Sequence, residues 1–336
     1  MAFELQKHPT QMAHFVAVLV FSPLSIAVVL LRLVAVPRSG RRLGLEDALA
    51  AVATLFAVLT NLGGQVAITI LNGREISEKI AQSPSDFGHM RRWDMAALFF
   101  YMTHSLAVKL SVLALYRRIF GIDRAYRLCI YALAAAQTML LVIFCIFQPL
   151  QCRPSGRYFD FSIPGTCRSE GSVILGFDAP NSLIDFAMVA LAWRMIRPLH
   201  LSTAVKWRLR LVFGMGMLVG IIGFIKIAIT YSPSAIYAFS MASIWTSVQM
   251  FVSVLCCCLP ALHPFLPTAD SWRRIYWRLT DRSSGKHGSA ARPWAGAANT
   301  PDQIPSHDRI ELGSDASGLA QSELVDRPKA VALSHS

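Results

Sequence analysis

Lys109, Asp178, Asp185 and Lys226 are the charged side chains that stand deep inside long apolar stretches of this 336-residue chain. An ionisable group at membrane depth is costly unless it is paired or hydrated, so each is by default a candidate for proton or ligand chemistry. Tyr101 and His104 precede Lys109 by eight and five residues on the same stretch. Any of Tyr101, His104, Lys109, Asp178, Asp185 and Lys226 could act as acid or base if its surroundings shift its pKa. Gln249, with Asn61, Gln65 and Asn181, adds uncharged polar groups at mid-depth, where hydrogen bonds between helices are the ordinary expectation.

Helical rise sets the depth of these groups. Lys109 lies eight residues before Arg117 and Asp185 nine before Arg194, so both fall roughly 12 to 14 Å from one face. Asp178 and Lys226 fall seven and five residues from the other ends of their stretches, roughly 7 to 11 Å deep. Matched depth permits the pairs Lys109 with Asp185 and Asp178 with Lys226. Arg32 and Asp47 match near the first face, although Arg32 could instead snorkel to the interface. Two readings compete for each pair: an ion pair that fixes helix register, or a ligand or proton site.

Other chemistry finds less support. The chain has no Walker loop, HExxH, CxxC pair or GxSxG, and no cluster of His, Cys and carboxylates at metal-ligand spacing. No metal, no cofactor and no assigned catalytic residue are therefore expected, and whether the chain is an enzyme stays open. Retinal attachment of the rhodopsin type needs a lysine on the last helix, and residues 235–262 contain none. Gly216 and Gly220 form a GxxxG, which lacks the preceding strand of a dinucleotide fingerprint and reads as close helix packing.

The elements that must hold these groups follow from composition. The chain is 54% hydrophobic and 15% charged, where soluble domains average about 25% charged. Seven continuous apolar runs, approximately residues 14–36, 45–71, 96–116, 126–149, 171–193, 211–231 and 235–262, are each long enough to cross a bilayer. Continuous rather than alternating hydrophobicity selects helices over a barrel. The expected fold is an all-α bundle of seven transmembrane helices.

The formal charge of +12 is concentrated in three connections. Those after the first, third and fifth helices carry twelve basic residues, among them Arg38, Arg41, Arg42, Arg117, Arg118, Arg194 and Arg197. The positive-inside rule then places the N-terminus outside and the C-terminus in the cytosol. That distribution accounts for the basic balance without nucleic acid. Cys152 and Cys167 flank the outer loop between helices 4 and 5, where an oxidising environment favours a disulfide over two free thiols. Closing such a loop contributes roughly 3 kcal/mol in the chain-entropy model. Cys256, Cys257 and Cys258 read as small packing residues, with palmitoylation as the alternative.

The chain divides into an outer N-terminus (1–13), the helical domain (14–262), a juxtamembrane segment (263–280) and a tail (281–336). Trp272 to Leu279 mixes aromatic and basic residues as an interfacial helix does. The Ser-, Gly-, Pro- and Ala-rich tail lacks an apolar periodicity and is expected to be disordered.

Several segments in this order and spacing resemble the fungal rhodopsin-domain family of integral membrane proteins. They are Arg32 with Leu43 to Asp47; Lys109-Leu110-Ser111 through Leu115 to Phe120; the Cys152 to Cys167 loop; Asn181 with Asp185; Phe213-Gly214; and Leu259 to Leu262. The resemblance covers about residues 30–265. It implies a seven-helix fold and membership of a group containing receptor-like proteins and proteins encoded beside secondary-metabolite genes. The family usually carries Asp-Asp where this chain has Glu46-Asp47, Arg at Lys226 and Glu at Gln249. A charged pair in the family thus becomes a cation and a neutral amide here. The expected function is a receptor-like, multi-pass protein of the plasma membrane or an endomembrane that binds a small apolar or amphipathic ligand. Its partners would be the bilayer, that ligand and a cytosolic protein. The alternative is a membrane-embedded enzyme or accessory protein of secondary-metabolite biosynthesis acting on an apolar intermediate. A transporter is disfavoured, because neither broken helices nor an inverted repeat is evident.

Overall fold

Hydrocarbon offers a backbone no hydrogen-bond partner, so each apolar run closes its bonds within itself as a helix. The computed structural model describes residues 9–72, 83–120, 123–197, 203–231 and 235–262. Seven long helices make up this part: α1 (Pro9–Arg38), α2 (Leu45–Leu71), α3 (Pro84–Phe120), α4 (Arg124–Phe147), α5 (Glu170–Ile196), α6 (Thr203–Thr230) and α7 (Ala235–Leu262). All seven are long and apolar enough to cross a membrane. The juxtamembrane segment and the tail lie outside the described residues, as do residues 1–8.

The helices pack in chain order as a ring, and contact between α1 and α7 closes it. Additional contacts of α3 with α5 and α7, and of α2 with α7, place α3 and α7 toward the middle. Large apolar side chains such as Leu19, Leu30, Leu55, Met139, Ile146 and Leu183 point outward, while Arg32, Lys109, Gln137 and Lys226 are buried. Polar groups inside an apolar exterior form the arrangement expected when lipid is the solvent. Small residues let the helices approach closely. Ala50, Ala53, Ala107, Cys257 and Cys258 share one buried cluster, and a Cβ on Gly63 of α2 would stand 2.9 Å from Ala97 Cβ of α3.

Helix α3 begins at Pro84, twelve residues before the expected start at residue 96. In sequence, Asp86, Arg91, Arg92 and Asp94 give this stretch the charge of a loop. Its helical period nonetheless places Phe87 and Met90 against Ala67 and Leu71 of α2. The charged turns continue past the span and meet the connection between α4 and α5. Arg91 lies 4.5 Å from the Tyr158 ring centroid, and the Phe87 and Phe161 rings are 5.1 Å apart. In that connection Cys152–Arg153 (β1) and Thr166–Cys167 (β2) form a two-residue antiparallel ladder with Cys152 opposite Cys167, and the two cysteines are joined by a disulfide. Asp123 caps α4 by accepting from the Ala125 N–H at 2.9 Å, and Ser169 caps α5, which supplies acceptors for otherwise orphaned helix-start donors.

Candidate functional site

Four helices each contribute one polar side chain to a cluster on the disulfide-bearing side of the bundle. Lys226 Nζ on α6 lies 2.9 Å from Asp178 Oδ2 on α5. It also donates to Tyr101 Oη on α3 at 2.9 Å and to Gln249 Oε1 on α7 at 3.2 Å. Its three protons therefore have three acceptors. The ammonium also stands 4.1 Å from the Tyr101 ring centroid, an added cation–π attraction. Tyr101 Oη is 3.2 Å from both Asp178 Oδ1 and Gln249 Oε1. Its single proton serves one acceptor at a time, so this cluster has two hydrogen-bonded arrangements.

Asp185 follows Asp178 by two helical turns and faces a second cluster. Lys109 Nζ lies 3.4 Å from Asp185 Oδ1 and 2.6 Å from both Asn181 Oδ1 and the Asn181 carbonyl. It also donates to Gln137 Oε1 on α4 at 3.1 Å. Ser105 and Gln137 donate to the same Asn181 Oδ1 at 2.7 and 3.2 Å. The lysine thus sits closer to amide oxygens than to its carboxylate, and Asp185 Oδ2 is buried without a hydrogen-bond partner.

His104 is engaged elsewhere. Its Nδ1 is 2.8 Å from the Ala53 carbonyl and its Nε2 3.0 Å from Ser253 Oγ. The carbonyl can only accept, so Nδ1 donates to it, while Ser253 Oγ, in contact with Nε2, also lies 2.8 Å from the Met250 carbonyl and has one proton to share between them. This contact joins α2, α3 and α7. Asn61 joins α1, α2 and α7 by donating to Ser22 Oγ at 2.9 Å and accepting from Ser247 Oγ at 2.8 Å.

Arg32 does not snorkel. It is buried and contacts Asp47 Oδ1 through Nη2 at 2.7 Å and Nε at 2.8 Å, while Nη1 donates to the Cys257 carbonyl. Asp47 Oδ2 accepts from the Gly44 N–H at 2.9 Å. Its neighbour Glu46 pairs with Arg118 at 2.6 Å and accepts from Ser111 Oγ through its carbonyl at 2.7 Å. These bonds fasten α1, α2, α3 and α7 at the end opposite the disulfide.

A cavity of about 20 Å³ lies between the two lysine clusters, bordered by Tyr101, His104, Lys109, Asp185 and Gln249. That volume holds about one water molecule. Among the described residues there is no group of three or more His, Cys, Asp or Glu placed to hold a metal.

A helix bundle with a polar interior and a disulfide-closed connection between α4 and α5 invites comparison with known membrane families. The fungal rhodopsin domain matches residues 31–268. The chain belongs to that family. Wortmanamides biosynthesis cluster protein C of Talaromyces wortmannii is 57% identical over 277 residues, covering 82% of this chain and 76% of that protein. Satratoxin biosynthesis SC1 cluster protein 4 of Stachybotrys chartarum is 30% identical over 197 residues, covering 57% of this chain and 73% of its own length. Fugralins biosynthesis cluster protein 2 of Gibberella zeae is 24% identical over 131 residues, covering 38% and 33%. This member of the fungal rhodopsin family is thus a multi-pass membrane protein with relatives in biosynthesis clusters.

The structure brings Tyr101, Asp178, Lys226 and Gln249 together and sets Lys109 against Asp185, with His104 in a separate contact. Gln137, Ser105 and Ser253 join these contacts although no motif in the sequence marks them. Ser105 carried a signal, one turn before Lys109 on the same face. Gln137 stands alone in an apolar run, which marks it as inward-facing without naming its partner.

Proposed function

We propose that this protein is a receptor-like, ligand-binding component of a secondary-metabolite pathway that holds a small apolar or amphipathic molecule within the membrane. The observation that carries this reading is the 57% identity to a biosynthesis cluster protein over most of both chains. The interior geometry supports binding rather than bond-making chemistry. Nearly every candidate acid or base is bonded to another side chain, and the cavity among them has the volume of about one water, far below the 300–1,000 Å³ or so of a typical small-molecule site. A ligand is accommodated more readily on the lipid-facing surface of the helices.

Deletion of the gene followed by untargeted metabolite profiling tests the proposal. The expected result is altered output of one product family with no accumulated precursor, restored by the intact gene. An unchanged profile overturns the pathway role. A single accumulated precursor overturns the binding role in favour of an embedded enzyme, a reading that the partnerless Asp185 Oδ2 beside the cavity supports. Complementation with Asp185→Asn separates these further. Restored output at normal protein level fits binding, and lost output at normal protein level fits acid–base chemistry.

A further inference from the structure

Helix α6 carries four glycines, and three have a packing reason. A Cβ on Gly216 would stand 2.8 Å from Val189, one on Gly220 2.8 Å from Phe186, and one on Gly223 2.0 Å from Ser182 Oγ, all on α5. The fourth, Gly214, has nothing within 4 Å of where its Cβ would be. A glycine in a helix interior costs roughly 0.5 to 1 kcal/mol relative to alanine. Close helix contact offsets that cost at the other three positions and not at Gly214.

Gly214 instead forms the floor of an outward-facing groove of about 520 Å³ between α5 and α6, within the usual range of about 300 to 1,000 Å³ for small-molecule sites. Its walls are apolar, with Phe186, Val189 and Met217 among them, and Trp193 is 52% exposed there. At one end stand Arg194 and Arg197. Neither guanidinium has an ion-pair partner among the described residues. The sequence offers no nearby counter-ion, since residues 186–269 contain six Lys and Arg and no carboxylate.

Lipid tails are as apolar as the groove, so burial of a hydrocarbon chain gives little selectivity inside a bilayer. Selectivity must come from the charged end. Two arginines one turn apart at the membrane boundary match a carboxylate, which a guanidinium fork can hold through two hydrogen bonds. We infer that the groove between α5 and α6 binds a single-chain amphiphile with a carboxylate head, its chain lying over Gly214 and its head between Arg194 and Arg197. This assignment names the ligand class for the binding role proposed above and rests on that reading. Its test uses purified protein alone, so it can fail while the metabolite phenotype stands.

Trp193 serves as the reporter. Full-length protein in phosphatidylcholine nanodiscs is titrated with 9,10-dibromostearate, whose bromines quench a neighbouring indole. Saturable quenching is expected, and Trp193→Phe should remove that component. Arg194→Gln with Arg197→Gln should weaken it by about tenfold or more, since both charged partners of the carboxylate are lost and each charge-assisted hydrogen bond counts for about tenfold. Gly214→Leu should abolish it by filling the floor. Should that variant not fold, the arginine variants still decide the matter, because both arginines are exposed. Equal quenching by dibromostearate methyl ester, a purely linear response, or arginine variants that bind like wild type would each overturn the inference. Equal saturable quenching by dibrominated phosphatidylglycerol at the same mole fraction would also overturn it, by assigning the groove to bulk anionic lipid.

Discussion

Lys226 and Lys109 enter the bundle from opposite faces, roughly 7 and 12 Å deep by helical rise, and differ in how their charge is met. Lys226 contacts a carboxylate at 2.9 Å and two further oxygens. Lys109 has its carboxylate at 3.4 Å and relies on amide oxygens at 2.6 Å. Removing one member of a buried pair leaves an uncompensated charge and costs about 3 to 5 kcal/mol, whereas replacing both with apolar groups is often nearly neutral. Lys226→Met should therefore lower the melting temperature in detergent sharply, and Lys226→Met combined with Asp178→Leu should recover most of the loss. A double variant as unstable as the single one would contradict the pairing. Depth was legible in the sequence because helical rise is fixed. Which neighbours share that depth was not, because rotation about each helix axis and the order of helices in the ring decide it. Hence Asp178 and Lys226 could be matched from spacing, while Gln137 and the Cys257 carbonyl acquire their roles only in three dimensions.

At the scale of helices, seven spans were readable because lipid demands continuous apolar runs. The first three turns of α3 were not, since charge there resembles a loop until Phe87 and Met90 are seen against α2. Glycines show the same division. The GxxxG of Gly216 and Gly220 signals close packing by its spacing, but Gly63 and Gly214 look alike in sequence and stand in opposite surroundings. A Cβ at position 63 would meet Ala97 Cβ at 2.9 Å and the Trp93 carbonyl at 3.3 Å, atoms fixed by the α3 backbone. Gly63→Ala should force α2 from α3 and cost about 1 to 3 kcal/mol. Gly214→Ala should leave stability unchanged or raise it by roughly 0.5 to 1 kcal/mol. Thermal melting of both variants in one detergent checks the contrast, which equal shifts in the same direction would refute.

The disulfide connects element to molecule, because it fixes the short β1–β2 ladder above α3 through a closed loop with a sequence separation of 15 residues. Its removal by Cys152→Ser with Cys167→Ser should destabilise the protein by roughly 3 kcal/mol, read as a lower melting temperature. Reductant should lower the melting temperature of wild type and leave that of the double variant unchanged.

For the molecule as a whole, charge and redox chemistry imply one orientation. The disulfide lies at one end, and Arg32, Arg41 and Arg118 are engaged with Glu46 and Asp47 at the other. An oxidised pair belongs on the lumenal or outer side, and arginine-rich connections belong in the cytosol, so on both criteria we propose that the α4–α5 connection faces outward. Asp160 in that connection is exposed, and its Oδ1 accepts from the Ser162 N–H at 2.9 Å and from the Ser162 hydroxyl, which hold its carboxyl below the usual range. An asparagine Oδ1 can accept the same bonds. Asp160→Asn therefore preserves the local turn while completing, with Phe161 and Ser162, an Asn-x-Ser glycosylation acceptor that is modified only on the lumenal side. The variant should gain a glycan, seen as a mobility shift removed by endoglycosidase, and a fluorescent protein fused after Ser336 should stay protected from external protease. An unglycosylated Asp160→Asn together with a protease-accessible C-terminal fusion would invert the topology. The groove mouth at Arg194 and Arg197 would then face the outer leaflet, and its anionic ligand would have to arrive from outside the cell or from an organelle lumen rather than from the cytosol.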